Sequence, residues 1–452
     1  MKKIIIELLS LIIFAITFPS CKKSLDAKSD KSLQIPSKVS DLQALLDQGD
    51  IMNGDNGVSF GESSADNYYM TDEQYNQMNQ ENRNTYIWTN RSYSKFPNDW
   101  AYLYNVINIA NIVLDNIGSI KATAQNQAAW NNAKGSALFF RGYSFLQGAF
   151  IFCKIYDEST AGQDYGIALK LTSDFNAPTI RASLKETYSQ IIGDLKNAMV
   201  LLPDLPIHVL RPSKSSCYAM LARTYLSMRS YDSCLKYSDL ALKIKSDLMD
   251  YNTLSVTASY PFSRFNKEDM FYNAATQPNY YTSTFYYALV DTVLYNSYDS
   301  NDLRKKLFFK AQPVGYSFKG SYARSYPYIG IATDEVYLMR AESYARLGNK
   351  EAALSDLNTL MRTRWLNGTF VPFTAASPED ALDIILKERR KELIFRNLRW
   401  MDIKRLNKEG SNISLTRMIN GSTYTLSPND NRFALALPDD IIKMTGMPQN
   451  PF

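Results

Sequence analysis

Apolar residues recur three and four apart through most of the chain, the period of a helix that buries one face. The pattern predicts helices over Trp100 to Ile117 ("WAYLYNVINIANIVLDNI"), Asn131 to Cys153 and Leu184 to Leu202. A late segment, "EDALDIILKERRKELIFRNLRWMDIKRL", reads as strongly helical throughout, with Ser377 as its cap and Pro378 in its first turn. Inside it Arg389, Glu392, Arg399 and Asp402 alternate in sign at helical spacing beside Trp400. That spacing fits a partly buried ion-pair network as well as it fits a solvated face.

Two stretches repeat one another. "LARTYLSMRSYDSCLKYSDLAL" and "MRAESYARLGNKEAALSDLNTL", set together on Ala222 and Ala341, pair Tyr225 with Tyr344, Arg229 with Gly348, Cys234 with Ala353 and Ser238 with Leu357 at one offset of 119 residues. Small, aromatic, turn and small positions at this spacing are those of a tetratricopeptide helix pair. Small residues let the two helices approach, Tyr fills the groove between repeats, and Gly supplies the positive φ that ends the first helix. The fold class predicted is all-α, built from tetratricopeptide-like helix pairs. Concave faces of such pairs dock protein segments or bury one another, and mutual burial is the reading for Tyr225 and Tyr344.

The helical period fails in two places. Residues 250–330 hold thirteen of the thirty-one tyrosines, in runs such as "NYYTSTFYY" and "SYARSYPY", and a second cluster runs from Tyr68 to Tyr104 with Trp88 and Trp100. These predict two irregular, aromatic-rich loop excursions, about 60–100 and 250–330, grafted on the helical frame.

The N-terminus carries a different pattern. Lys2 and Lys3 precede an apolar run from Ile4 to Phe18, and small residues lead to Cys21. This is the layout of an export signal over residues 1–20. As a helix the run spans roughly 22 Å against a hydrocarbon core of about 30 Å, and Glu7 sits within it, so a transmembrane anchor is the poorer reading. A thiol at the presumptive cut resembles a bacterial lipobox, although Phe18, Pro19 and Ser20 depart from its usual Leu and Ala or Gly. Acylated Cys21 would tie the chain to a lipid bilayer, since several acyl chains together give lasting attachment. A free Cys after an ordinary signal is the alternative. Residues 22–32 read as a polar tether.

Composition narrows the chemistry. The 452 residues are 45% hydrophobic and 21% charged, enough for a large core, and a dispersed net charge of +5 gives no argument for nucleic acid. Cys153, Cys217 and Cys234 remain after Cys21, an odd number predicted to be reduced packing residues. His208, in "LPIHVLRPS", is the one histidine, read as a loop residue; no Gly-x-Ser-x-Gly elbow or phosphate-binding glycine loop accompanies it. Neither a metal site nor a cofactor is predicted. Catalysis by paired carboxylates stays open, because it needs only Asp and Glu.

From end to end the chain resembles the SusD/RagB family of outer-membrane lipoproteins. The resemblance is carried by "SLDAKSDKSLQIPSKVSDLQALLD", "ESSADNYY", "WAYLYNVINIAN", "KGSALFFRGYSF", "YSQIIGDLKNAMVLLP", "RPSKSSCYAMLARTYL", "KERRKELIFRNLRWMDIKRL" and "ALPDDIIKMTGMPQNPF". One departure is visible: Arg396 and Asn397 stand where the family commonly has Glu-Gly. The resemblance implies one domain over 21–452, outer-membrane attachment facing outward, and a non-enzymatic role. In that role oligosaccharides, or in some branches peptides, are delivered to a SusC-like TonB-dependent transporter. A tetratricopeptide scaffold of the outer membrane is the competing class, and a glycan hydrolase the weaker third.

Sugar rings pack C–H faces on aromatic rings and offer hydroxyls to amide, carboxylate or guanidinium groups. In the family, ligand contacts come from the excursions. Mapped here, the candidates are Asp66, Asn67, Tyr68, Tyr69, Tyr86 and Trp88 in the first, and Tyr280, Tyr281 and Arg324 in the second. Core packing is the alternative for each ring, and a local turn cap for Asp66 and Asn67.

Overall fold

The computed structural model describes residues 36–54, 60–89, 98–276 and 288–452. The signal segment, Cys21, the tether, Tyr280 and Tyr281 lie outside them. Ten helices of eight residues or more carry the described fold: α1 (Val39–Leu46), α2 (Asp99–Ile117), α3 (Gln127–Phe152), α4 (Leu184–Leu201), α5 (Lys214–Ser227), α6 (Tyr231–Ile244), α7 (Thr333–Arg346), α8 (Lys350–Arg362), α9 (Pro378–Glu392) and α10 (Arg399–Lys408). Among the described residues no helix is long and apolar enough to cross a membrane. Strands are short, in five antiparallel two-stranded pairs among those residues.

Helices α2 to α8 pack each against the next, and α9 closes on α7 and α8. Between α2 and α4, α3 is covered on both sides and is buried from Ala133 to Phe152 except at Lys134. Small residues permit this closeness: a Cβ on Gly135 would stand 2.8 Å from Leu202 Cγ. Ser183 caps α4 and Ser377 caps α9, each in a capping box, and Pro378 opens α9 as predicted.

The two repeats are the hairpins α5/α6 and α7/α8. Ala222, Ala341, Cys234, Ala353, Ser238 and Leu357 are all fully buried. Arg229 and Gly348, paired by the alignment, both adopt the left-handed conformation, with φ of 61° and 82°. The turn demands that backbone whichever residue occupies it. Cys153, Cys217 and Cys234 are free and buried. Tyr225 and Tyr344 are only half-buried, and Tyr225 stacks on Tyr237 with centroids 5.5 Å apart.

The late segment departs from a continuous helix. Between α9 and α10 the chain breaks, with Phe395 at φ 56° and Asn397 at φ 59°. Asn tolerates the left-handed region better than other residues with a side chain, so it can stand where the family has Gly. The break receives the short helix Phe60–Ser64: Asn397 N donates to Glu62 Oε2 at 3.0 Å, and Glu62 N donates to Asn397 Oδ1 at 3.1 Å.

Of the alternating charges, Arg389, Glu392 and Asp402 are buried in ion pairs and Arg399 is half-buried. Arg389 pairs with Asp402 at 3.0 Å, and Arg405 joins Asp402 to Glu342 on α7. Arg304 bonds Asp302, Glu388 and Glu392, while Arg364 bonds Glu392 and Glu268. These pairs fasten the second excursion to α9, because stranding either partner of a buried pair costs about 3–5 kcal/mol.

Candidate ligand-binding face

The first excursion turns its aromatics inward. Tyr68, Tyr86 and Trp88 are 1–2% exposed and surround one cation, with the Arg417 guanidinium 5.1, 4.3 and 5.2 Å from their ring centroids. Arg417 arrives from the hairpin of strands Leu415–Ile419 and Ser422–Leu426 and donates through Nη1 to Tyr68 O at 2.7 Å. The polar ends of the rings are engaged as well. Trp88 Nε1 donates to Ser64 O at 2.9 Å, Tyr68 Oη to Ser63 O at 2.6 Å, and Met70 N to Tyr86 Oη at 2.9 Å. Burial pushes the Tyr68 phenol well up, against the pull of Arg417.

Asp66 and Asn67 belong to the same fastening. Arg399 of α10 grips Asp66 with two bonds, at 2.6 and 2.8 Å, and Arg390 lies 3.2 Å away. Burial works to raise the Asp66 carboxyl, but Arg399 and Arg390 hold it well below the usual carboxylate range. Asn67 is 1% exposed and donates through Nδ2 to Glu62 Oε1 at 2.6 Å. Burial pushes Glu62 up to about 7, with Asn67 and the Asn397 amide pulling against it. Asn67, Tyr68, Tyr86 and Trp88 therefore pack where an open platform was expected, and Asp66 is committed to two arginines. Tyr69 is half-buried, in the strand pair Tyr68–Tyr69 with Leu289–Val290.

The second excursion presents groups outward. Tyr260, Phe265 and Tyr326 are 46%, 39% and 38% exposed. A cluster is built around Tyr272, which follows strand Asp269–Phe271 and is itself buried. Tyr272 N donates to Val209 O at 2.8 Å, and Asn53 Nδ2 donates to the carbonyls of Leu210 and Tyr272 at 3.0 and 2.8 Å. This brings the loop of His208 alongside, with its ring 4.6 Å from Phe265. Phe265 packs edge-on against Tyr272 at 4.8 Å, and the Arg264 guanidinium covers both rings at 5.0 and 5.2 Å.

Arg324 sits on the neighbouring turn. Arg324 N donates to Ser321 O at 3.2 Å and Tyr326 N to Ala323 O at 3.3 Å, while buried Tyr322 and Tyr328 fix the turn's flanks. Burial pushes the Tyr272 phenol up, with Arg264 and Arg324 acting to lower it, and Tyr328 beside the Arg324 turn packs against Tyr272 at 5.9 Å, so the two arginines stand on adjoining segments. Phe265 at φ 57° and Arg324 at φ 62° hold left-handed backbones that cost a side-chain-bearing residue about 1–2 kcal/mol. Of the residues expected here from sequence, only Arg324 is among the described ones, and it is exposed. Arg264, Phe265 and Tyr326 were missed; the turn-rich "YPFSRFNKED" was the available signal.

A separate apolar groove of about 600 Å³ lies between α2, loop 169–180 and helix Asp439–Thr445, with Phe175 and Met444 exposed on its rim.

A family model described as starch-binding, associating with the outer membrane, matches residues 23–226, and that of the SusD family matches residues 257–436. SusD-like protein P2 of Formosa agariphila is 23% identical over 90% of this chain and 87% of its own. A SusD superfamily protein of Bacteroides thetaiotaomicron superposes with TM-score 0.75 at 20% identity, over 92% of this chain and 100% of the other. A sugar-binding protein of Bacteroides vulgatus, so described as putative, gives the same score and identity over 92% and 99%. A laminarin-binding SusD-like protein gives 0.66 at 16% identity over 91% and 97%.

Proposed function

The chain belongs to the SusD family, and from that premise we propose that it is a non-catalytic outer-membrane lipoprotein that captures oligosaccharides and hands them to a SusC-like TonB-dependent transporter. Two findings about other proteins support the glycan reading: one family model is described as starch-binding, and a structural neighbour binds laminarin. The observation that carries it in this chain is the exposed set Phe265 and Tyr326 beside Arg264 and Arg324, mounted on a rigid helical frame. Rings there offer faces to sugar C–H groups and the guanidiniums offer donors to hydroxyls. Attachment through acylated Cys21 and outward orientation complete the proposal.

The test is titration of the full chain in mild detergent against a panel of oligosaccharides and oligopeptides. Binding of an oligosaccharide, weakened about tenfold or more when Phe265 and Tyr326 are both changed to Ala, is the expected result. Binding of peptides alone would redirect the assignment, and an unaltered affinity in the variant would move the site elsewhere. Cys21→Ala should release the protein from membranes on cell fractionation; retention would contradict lipid attachment.

A further inference from the structure

We propose that the ligand of this face is an anionic glycan, an oligosaccharide carrying carboxylate or sulfate groups, which Arg264 and Arg324 hold together. The inference rests on the glycan-binding role proposed above and names the chemical class within it.

The distribution of the protein's own charges carries it. Arginines elsewhere in the fold commonly meet carboxylates: Arg141, Arg223, Arg304, Arg364, Arg396 and Arg405 are each in a buried ion pair. Arg264 and Arg324 are exposed, and neither has a carboxylate partner among the described residues. An external anion would supply the ion-pair partner that the described fold does not give them.

The geometry of each group suits an oxyanion. The Arg264 guanidinium lies over Phe265 and Tyr272, 5.0 and 5.2 Å from their centroids, on an exposed side chain whose fork of N–H donors suits a carboxylate or sulfate that accepts two at once. Stacking also removes rotamer freedom before the ligand arrives. Arg324 is displayed at the tip of a tight turn by a backbone that its type rarely adopts. Tyr272 joins the two segments: it lies 5.2 Å under the Arg264 guanidinium and 5.9 Å from the ring of Tyr328, which flanks the Arg324 turn. The exposed rings of Phe265 and Tyr326 then supply the apolar contact that a sugar ring needs and a bare anion does not. This pairing of rings with unpaired cations favours an acidic sugar over an acidic peptide.

The full chain in mild detergent is titrated calorimetrically with oligogalacturonate, carrageenan oligosaccharides, neutral β-glucan oligosaccharides of matched length, and poly-glutamate. The proposal expects one of the two anionic glycans to bind at least tenfold more tightly than the neutral one, which also tells carboxylate from sulfate. That affinity should fall as salt is raised from 0.05 to about 0.3 M. It should fall tenfold or more in the Arg264→Gln, Arg324→Gln double variant. An unchanged melting temperature shows that the variant is folded, and the Arg→Lys pair should restore part of the affinity. Neutral glycans binding as tightly as anionic ones, or anionic binding indifferent to the double variant, overturns this inference and leaves the glycan role standing. Poly-glutamate binding as tightly as the anionic glycans also overturns it. If no glycan of either kind binds, the glycan role itself fails.

Discussion

Asp269 is a carboxylic acid 1% exposed, and its burial pushes it up to about 7 against the smaller pulls of Tyr328 and Arg396. The folded state therefore keeps a proton that the unfolded chain releases near pH 4. Stability contributed by this group is complete below about pH 4 and declines as pH rises through about 7, above which the cost of the buried charge is fully present. Asp269→Asn cannot ionise, so the variant should be as stable as the parent at pH 4 and more stable at pH 8, by about 4 kcal/mol. Scanning calorimetry at the two pH values measures this; a constant difference between them would contradict it. Such residue-scale facts were poorly legible in the sequence. Tyr68, Tyr86 and Trp88 have the same composition whether they face a ligand or enclose Arg417, and the cation that decides the matter lies more than 320 residues further on. Asn397 was legible as a departure from Glu-Gly, yet its left-handed backbone was not.

Helices were legible because their period is local. The sequence expected helices over residues 100–117 and 184–202, and the structure places them at Asp99–Ile117 and Leu184–Leu201. The helix break at 395–397 was hidden because charged and apolar residues keep their spacing across it, while its cause, the docking of Glu62 from the first excursion, is remote. The repeats give the sharpest test at this scale. A Cβ added at Gly348 would meet no atom within 4 Å, so the cost of Gly348→Ala comes from the positive φ alone. The variant should lose about 1 kcal/mol, seen as a shift of the urea midpoint without a change in slope. A neutral outcome would mean that the α7/α8 turn does not require the left-handed backbone that it shares with Arg229.

At the scale of the molecule, a stack of helix pairs carries two excursions of unlike character. The first is folded into the frame around Arg417 and stitched to α9 and α10 by Asp66, Asn67 and Glu62. The second, over its described part, leaves Phe265, Tyr326, Arg264 and Arg324 in solvent. Composition marked both as aromatic-rich, and only the three-dimensional pairing of charges distinguishes them. The proposed function puts the cargo on the second. Amide hydrogen exchange of the full chain, with and without its oligosaccharide, tests this most directly. Protection confined to residues 262–273 and 321–328 is the predicted result. Protection appearing instead at the groove between Tyr104, Phe175 and Met444, or along the faces of α5 to α8, would contradict it.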